Sequence, residues 1–272
     1  MADESGRGVD LLGAQIYAEQ RGTGRDIVLI HAGVADSSMW DPQFDEFSKH
    51  ARVTRYDLRG FGRSSLPPTP YSHHDDLAAL FGHLIIDHAI VIGASFGGNV
   101  ATAFTLTNPD KVDALILVNS RVGSESVSPE LRAAWDRVDA AEEAGDIDLA
   151  VEIESQMWVD GPFRTPAEVD PIVRERVRAM NSALFARSPE QEAAEERKLV
   201  PSPTDRIGEI RVPTLTIVGD LDFPDIMTSA DALIAAIPGA KKATIPGAAH
   251  LPSMEKPDEF NRIVGEFIRS LM

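Results

Sequence analysis

The 272-residue chain contains no cysteine. That absence excludes disulfides, zinc–thiolate sites and thiol nucleophiles, and it frees the fold from any need for an oxidising compartment. No stretch approaches the ~20 consecutive apolar residues that span a bilayer, and the start Met1–Arg7 is polar and acidic rather than an apolar export signal. A cytoplasmic protein without a membrane partner is expected. Basic residues are scarce as well: 26 Lys and Arg stand against 43 Asp and Glu, giving a formal net charge of −17. Such a chain repels a phosphate backbone, so nucleic acid is a poor partner. There is no low-complexity tract and no internal repeat of the kind that builds solenoids or propellers. Nothing in the composition calls for a metal or another cofactor, and none is expected. No heptad seam declares an interface, which leaves monomer and homodimer both open.

What is present is enough apolar sequence, 43% of residues, to bury a sizeable core. Ile27–Ile30 is a short β-branched run that opens into the loop His31-Ala32-Gly33. Ser38–His50 then reads as helix, Arg52–Tyr56 as strand, and Asp57–Ser64 as a glycine-punctuated turn. After a helix over about Asp75–Ile86, the strand Ala89–Ile92 stops at Gly93-Ala94-Ser95-Phe96-Gly97, and Asn99–Thr107 continues as helix. Ala114–Val118 supplies the next strand. Strands alternating with helices imply a mostly parallel sheet covered by helices on both faces.

From Arg121 to Asp205 the strand pattern gives way to charged helical segments: Pro129–Ala144, Ile147–Val159, Pro166–Ala186 and Pro189–Leu199. Alternation resumes with a strand at Thr214–Val218, a helix near Met227–Ile237, a strand at Lys242–Ile245 and a last helix from Pro257. The expected organisation is one sheet domain, residues 1–120 and 206–272, carrying a helical cap at 121–205.

The pentapeptide Gly93–Gly97 fits G-x-S-x-G, whose glycines permit the sharp strand-to-helix turn that lifts a serine hydroxyl clear of a sheet. A strand before it and a helix after it are what that role demands. A serine hydroxyl needs a base to take its proton, and imidazole titrates nearest neutrality. Two of the seven histidines, His31 and His250, stand in loops at the sheet's C-terminal edge. An imidazolium in turn needs a carboxylate, and Gly219-Asp220-Leu221-Asp222-Phe223-Pro224-Asp225 offers three at the same edge, among which spacing does not choose.

The elbow, the acidic loop, the late histidine and their order along nearly the whole chain resemble the α/β-hydrolase superfamily. The resemblance implies an α/β-hydrolase fold with an eight-stranded type of sheet. Its nucleophile–acid–base order selects His250 as the base for Ser95 and leaves His31 as a neighbour of the cleft, and its G-x-x-D-x-x-x-P-like acid loop matches Asp222 here, with the proline two residues after it. It also implies oxyanion donors at the N–H of Phe96 and in the early loop, where the family's H-G-x is replaced by His31-Ala32-Gly33-Val34, so the second donor is Gly33 or Val34. Asp57-x-Arg59-Gly60-x-Gly62-x-Ser64 resembles a family turn motif with a structural role. His31-x-Gly33 followed by the helix start at Ser38, Met39 and Trp40 is similar to enol-lactone hydrolases and haloperoxidase-like esterases. His31, Met39, Trp40 and, from the cap, Trp158 are the candidates to line the substrate pocket, with core filling the alternative for Met39 and Trp40 and packing within the cap the alternative for Trp158. The implied activity is hydrolysis of a small carboxylic ester or lactone through a seryl acyl-enzyme. The alternatives are carbon–carbon bond hydrolysis by the same triad and a ligand-binding protein without catalysis. Relatives with an aspartate nucleophile are excluded by serine at the elbow.

Overall fold

A computed structural model of the chain describes residues 6–121, 127–185 and 194–271. Its eight strands are β1 (Arg7–Leu11), β2 (Ala14–Arg21), β3 (Asp26–Ile30), β4 (Arg52–Tyr56), β5 (Ala89–Ala94), β6 (Val112–Val118), β7 (Thr214–Gly219) and β8 (Lys241–Ile245). They form one sheet in the order β1-β2-β4-β3-β5-β6-β7-β8, antiparallel through β1, β2 and β4 and parallel from β4 to β8. The first hairpin was not anticipated. Leu12 and Gly13 turn it with positive φ at both residues, and Leu-Gly lacks the Asn-Gly or Asp-Gly signature that announces such turns.

The central strands are apolar over most of their length because both of their faces are covered. Ile27, Leu29, Ile90, Ile92, Ile116 and Ile217 face α1 (Asp41–Phe47) and the C-terminal helix Pro257–Arg269, whose Phe260, Val264 and Phe267 fill that side. The intervening residues Val28, Ile30, Val91, Leu115 and Leu117 face α2 (His73–His83) and α3 (Phe96–Thr107) through Leu77, Leu80, Phe81, Val100 and Phe104.

Between β6 and β7 lie α4 (Pro129–Glu143), α5 (Ile147–Ser155) and α6 (Pro171–Ser182), and α5 runs on through a π-helical turn, Gln156–Asp160. Leu131, Val138, Ile153 and Met157 pack onto Val218, Phe223 and Ile226, so these helices close over the C-terminal end of β7. The helix expected at Pro189–Leu199 begins outside the described residues. Its described part, from 194 onward, is not helical: Glu196 bridges Tyr71 in parallel, with Tyr71 N–H donating to the Glu195 carbonyl and Arg197 N–H donating to the Tyr71 carbonyl.

The turn after β4 is held by buried charge. Asp57 accepts from the N–H groups of Ser37 and Arg63, each at 2.8 Å, and Ser64 Oγ donates to the Asp57 carbonyl. Arg59 meets Asp76 of α2 with two bonds, Nε–Oδ2 2.8 Å and Nη2–Oδ1 2.6 Å, both side chains almost fully buried. Removing one member leaves an uncompensated buried charge, so Asp76→Ala is expected to lower the unfolding free energy by about 3–5 kcal/mol. Urea unfolding read by circular dichroism checks this; a loss below ~1 kcal/mol would mean that the guanidinium finds other partners.

Candidate active site

Ser95 joins β5 to α3 with φ 49° and ψ −112°, a conformation that a residue with a side chain adopts only when its surroundings impose it. Those surroundings are close. A Cβ on Gly97 would overlap the carbonyls of Ile30 and His31, so the turn can press against β3 only with glycine there. Ser95 N–H is anchored to the Val118 carbonyl at 2.8 Å. The hydroxyl therefore stands at the C-terminal edge of the parallel strands, where open α/β sheets bind their ligands.

His250 follows β8 and Asp222 follows β7, which brings both to the same edge. His250 Nε2 lies 2.8 Å from Ser95 Oγ, and His250 Nδ1 lies 2.6 Å from Asp222 Oδ2. Asp222 is almost fully buried, and its other oxygen accepts the Phe223 N–H at 2.7 Å. The two neighbouring acids are engaged elsewhere: Asp220 accepts from Gly247 N–H and Asp225 from Ser128 N–H, each at 2.7 Å.

Gly33, Val34, Phe61, Ser95, Phe96, Trp135, Glu154, Trp158 and His250 line a cleft of about 280 Å³. Phe96 opens α3, so its N–H has no acceptor within the helix. Gly33 and Val34 are the middle residues of a turn closed by Ala35 N–H donating to the Ala32 carbonyl, and no backbone carbonyl among the described residues takes up their own N–H groups. Ala32 is not among the residues with positive φ, which is why alanine stands where the resembled motif has glycine.

Of the four expected pocket residues, the structure brings only Trp158 to the cleft, its ring 4.4 Å from that of His250. His31 is fully buried behind it. Its Nδ1 donates to the Ala32 carbonyl at 2.8 Å and its Nε2 accepts from Leu58 N–H at 2.9 Å, while burial lowers its pKa and keeps the ring neutral. Met39 and Trp40 are also fully buried. Met39 Sδ receives the Ala32 N–H from beneath the early loop, and Trp40 packs against Phe260. All three act as core supports: a 3-10 turn, Ser37–Trp40, rolls Met39 and Trp40 into the sheet, and the main-chain bonds at both ring nitrogens fix His31.

Three supports had not been foreseen. Asn119 donates from Nδ2 to the Ala249 carbonyl at 2.8 Å and accepts Gly219 N–H on Oδ1 at 3.0 Å, which ties the acid's loop to the histidine's loop. Glu255 accepts Ala249 N–H at 2.8 Å and pairs with Arg164 at 2.7 Å, linking the inserted helices to the residue before His250. Burial raises the Glu255 pKa, and Arg164 opposes the rise. The only available cue was an Asn directly after a buried strand; a side chain that reaches a backbone 100 and 130 residues away leaves no local pattern.

No group of acidic, histidine or cysteine side chains among the described residues is arranged to hold a metal ion, and none of their helices is long and apolar enough to cross a membrane. Residues 27–263 match the Alpha/beta hydrolase family. A candidate carbamate hydrolase of Caulobacter segnis is 28% identical over 255 residues, covering 90% of this chain and 92% of that one. Among solved structures, a thermophilic esterase from Thermogutta terrifontis superposes with a TM-score of 0.78 at 28% identity over 99% of both chains. The enol-lactonase of Burkholderia xenovorans LB400 superposes with a TM-score of 0.75 at 26% identity, over 95% of this chain and 98% of that one. With the family match spanning most of its length, this chain belongs to the alpha/beta hydrolases.

Proposed function

We propose that the protein is a serine hydrolase of small carboxylic esters or lactones, with Ser95 as nucleophile, His250 as general base and Asp222 as the group that orients it. The observation that carries this reading is the unbroken chain of contacts from Ser95 Oγ through both nitrogens of His250 to Asp222, at 2.8 and 2.6 Å. With Asp222 accepting at Nδ1, the neutral ring carries its proton there and presents a bare Nε2 to the serine. Nε2 takes the hydroxyl proton as Oγ attacks the carbonyl carbon, and the imidazolium is stabilised by the buried carboxylate. The oxyanion is received by the N–H of Phe96 together with that of Gly33 or Val34. His250 then gives its proton to the leaving alcohol, and a water activated by the same nitrogen releases the acyl group. The inserted helices serve as the lid that bounds the substrate.

The reading is supported by the esterase and lactonase among the similar proteins. The carbamate hydrolase among them makes carbamates the nearest competing class, since the same attack on a carbonyl carbon serves there. The test is a panel of p-nitrophenyl acyl esters from acetate to decanoate, γ- and δ-lactones, an alkyl carbamate and a vinylogous diketone, with a fluorophosphonate probe alongside. Turnover of esters or lactones with stoichiometric labelling of Ser95 is the expected result. A folded protein that neither turns over any member nor labels would make this a binding protein. Preference for the carbamate or the diketone would move the substrate class while keeping the nucleophile.

A further inference from the structure

Four aromatic rings, Phe61, Phe96, Trp135 and Trp158, wall the cleft, and Glu154 is the one acidic residue among its lining. Glu154 stands on α5, partly buried, and Asn181 of α6 donates from Nδ2 to its Oε2 at 2.6 Å. Asn181 is itself buried, so the carboxylate is braced from behind and held in place. The arginines of this region are already committed. Arg121 and Arg132 lie over the Trp135 ring, each 5.4 Å from its centroid. Arg174 pairs with Glu152 and Asp160, Arg178 with Glu152, Arg164 with Glu255 and Arg176 with Asp41. Among the described residues Glu154 has no ion pair, and burial together with the charge of Glu142 raises its pKa. A partly buried carboxylate without a counter-ion destabilises the empty protein, and a cation entering the cleft relieves that cost. Aromatic faces attract the same kind of group through their quadrupoles.

We propose that Glu154, with the ring of Trp158, forms a subsite for an ammonium group on the substrate, so that the preferred esters carry a positively charged nitrogen. The proposal rests on the serine hydrolase reading and sharpens it. The same carboxylate disfavours substrates bearing a second, free carboxylate, because like charges in a partly desolvated cleft repel.

The test compares butyrylthiocholine with its uncharged carbon isostere, S-(3,3-dimethylbutyl) thiobutyrate, in the wild type and in Glu154→Gln. Thiol release is followed with a disulfide reagent, to which a protein with no cysteine is inert. Glutamine keeps the shape and the acceptor for Asn181, and the ratio of kcat/KM for the two thioesters within one protein cancels any general loss. In the wild type the ratio is expected to favour the cation by about 10-fold, the size of one desolvated cation–π contact with its charge partner, and in Glu154→Gln to fall to near one. A ratio that is the same in both proteins overturns the proposal. Choline titrated against intrinsic fluorescence gives a second readout that needs no turnover. Of the three tryptophans, Trp40 is fully buried, so quenching reports on Trp135 and Trp158. Saturable quenching in the wild type that is lost in Glu154→Gln, with neither thioester cleaved and Ser95 unlabelled, would sink the hydrolase reading and keep the subsite. Equal cleavage of both thioesters by both proteins, without quenching, would do the reverse.

Discussion

Ser95→Ala is expected to lower kcat for p-nitrophenyl butyrate by about 10⁶-fold, down to what the oxyanion donors and binding alone supply. The loss is this large because nucleophile and base act as one unit: without Oγ, His250 has no proton to take and no acyl-enzyme forms. Stability should hardly change, since alanine faces the same left-handed φ of 49° that serine already tolerates and the Ser95 N–H bond to Val118 is kept. Steady-state rates on protein whose urea midpoint matches the wild type make the comparison, with fluorophosphonate labelling as the control for contaminating activity. A mutant that retains more than about one hundredth of the wild-type rate would remove Ser95 from the chemistry, because binding and oxyanion contacts alone do not hold so much.

Asp222→Asn is expected to cost about 10⁴-fold in kcat while leaving the cleft's shape intact. Its mechanism is a reversed tautomer. The carboxylate at 2.6 Å accepts a hydrogen bond from His250 Nδ1–H, whereas an amide turned to face that nitrogen donates one to it. The ring then carries its proton on Nε2, pointed at the serine it should deprotonate. Asp220→Asn and Asp225→Asn provide the contrast. Each carboxylate receives a single backbone N–H from a loop, so each substitution is expected to cost about 1 kcal/mol of stability and to leave the pH profile of kcat/KM in place. If Asp220→Asn were the damaging change, the acid would have to be reassigned within the same loop.

The elbow, the late histidine and the alternation of strands and helices were legible in the sequence because each is local: a pentapeptide, a loop, a run of β-branched residues. The acidic loop was legible only as three choices, and the family's pattern pointed to Asp222. Elsewhere the local signal was absent or pointed the wrong way. Ala14, Ile16 and Ala18 alternate inward along β2, yet a Leu-Gly turn hid the hairpin that would have given the alternation its meaning. Met39 and Trp40 follow the early loop closely in sequence and look available to a ligand. A single 3-10 turn decides that they are core, and no periodicity reports that turn. His31 lies one residue from a loop that lines the cleft, but both its nitrogens are occupied by main chain, a fact of tertiary structure. The Arg164–Glu255 pair joins side chains far apart in sequence, and Asn119 was invisible for the same reason as His31: its partners, 100 and 130 residues away, are backbone atoms.

That last property bears on how far the sequence can drift. Asn119 grips the N–H of Gly219 and the carbonyl of Ala249, Ser95 hangs from the carbonyl of Val118, and Gly97 and Gly219 are pressed against carbonyls of Ile30, His31, Ala248 and Ala249. Atoms that every residue possesses carry the spacing of the site. Lineages are therefore free to exchange the side chains of these loops, and with them the molecules they admit, while inheriting the distances between base, acid and hydroxyl unchanged. Relatives that share barely a quarter of their residues with this chain and still superpose along nearly its whole length are the expected outcome of such an inheritance.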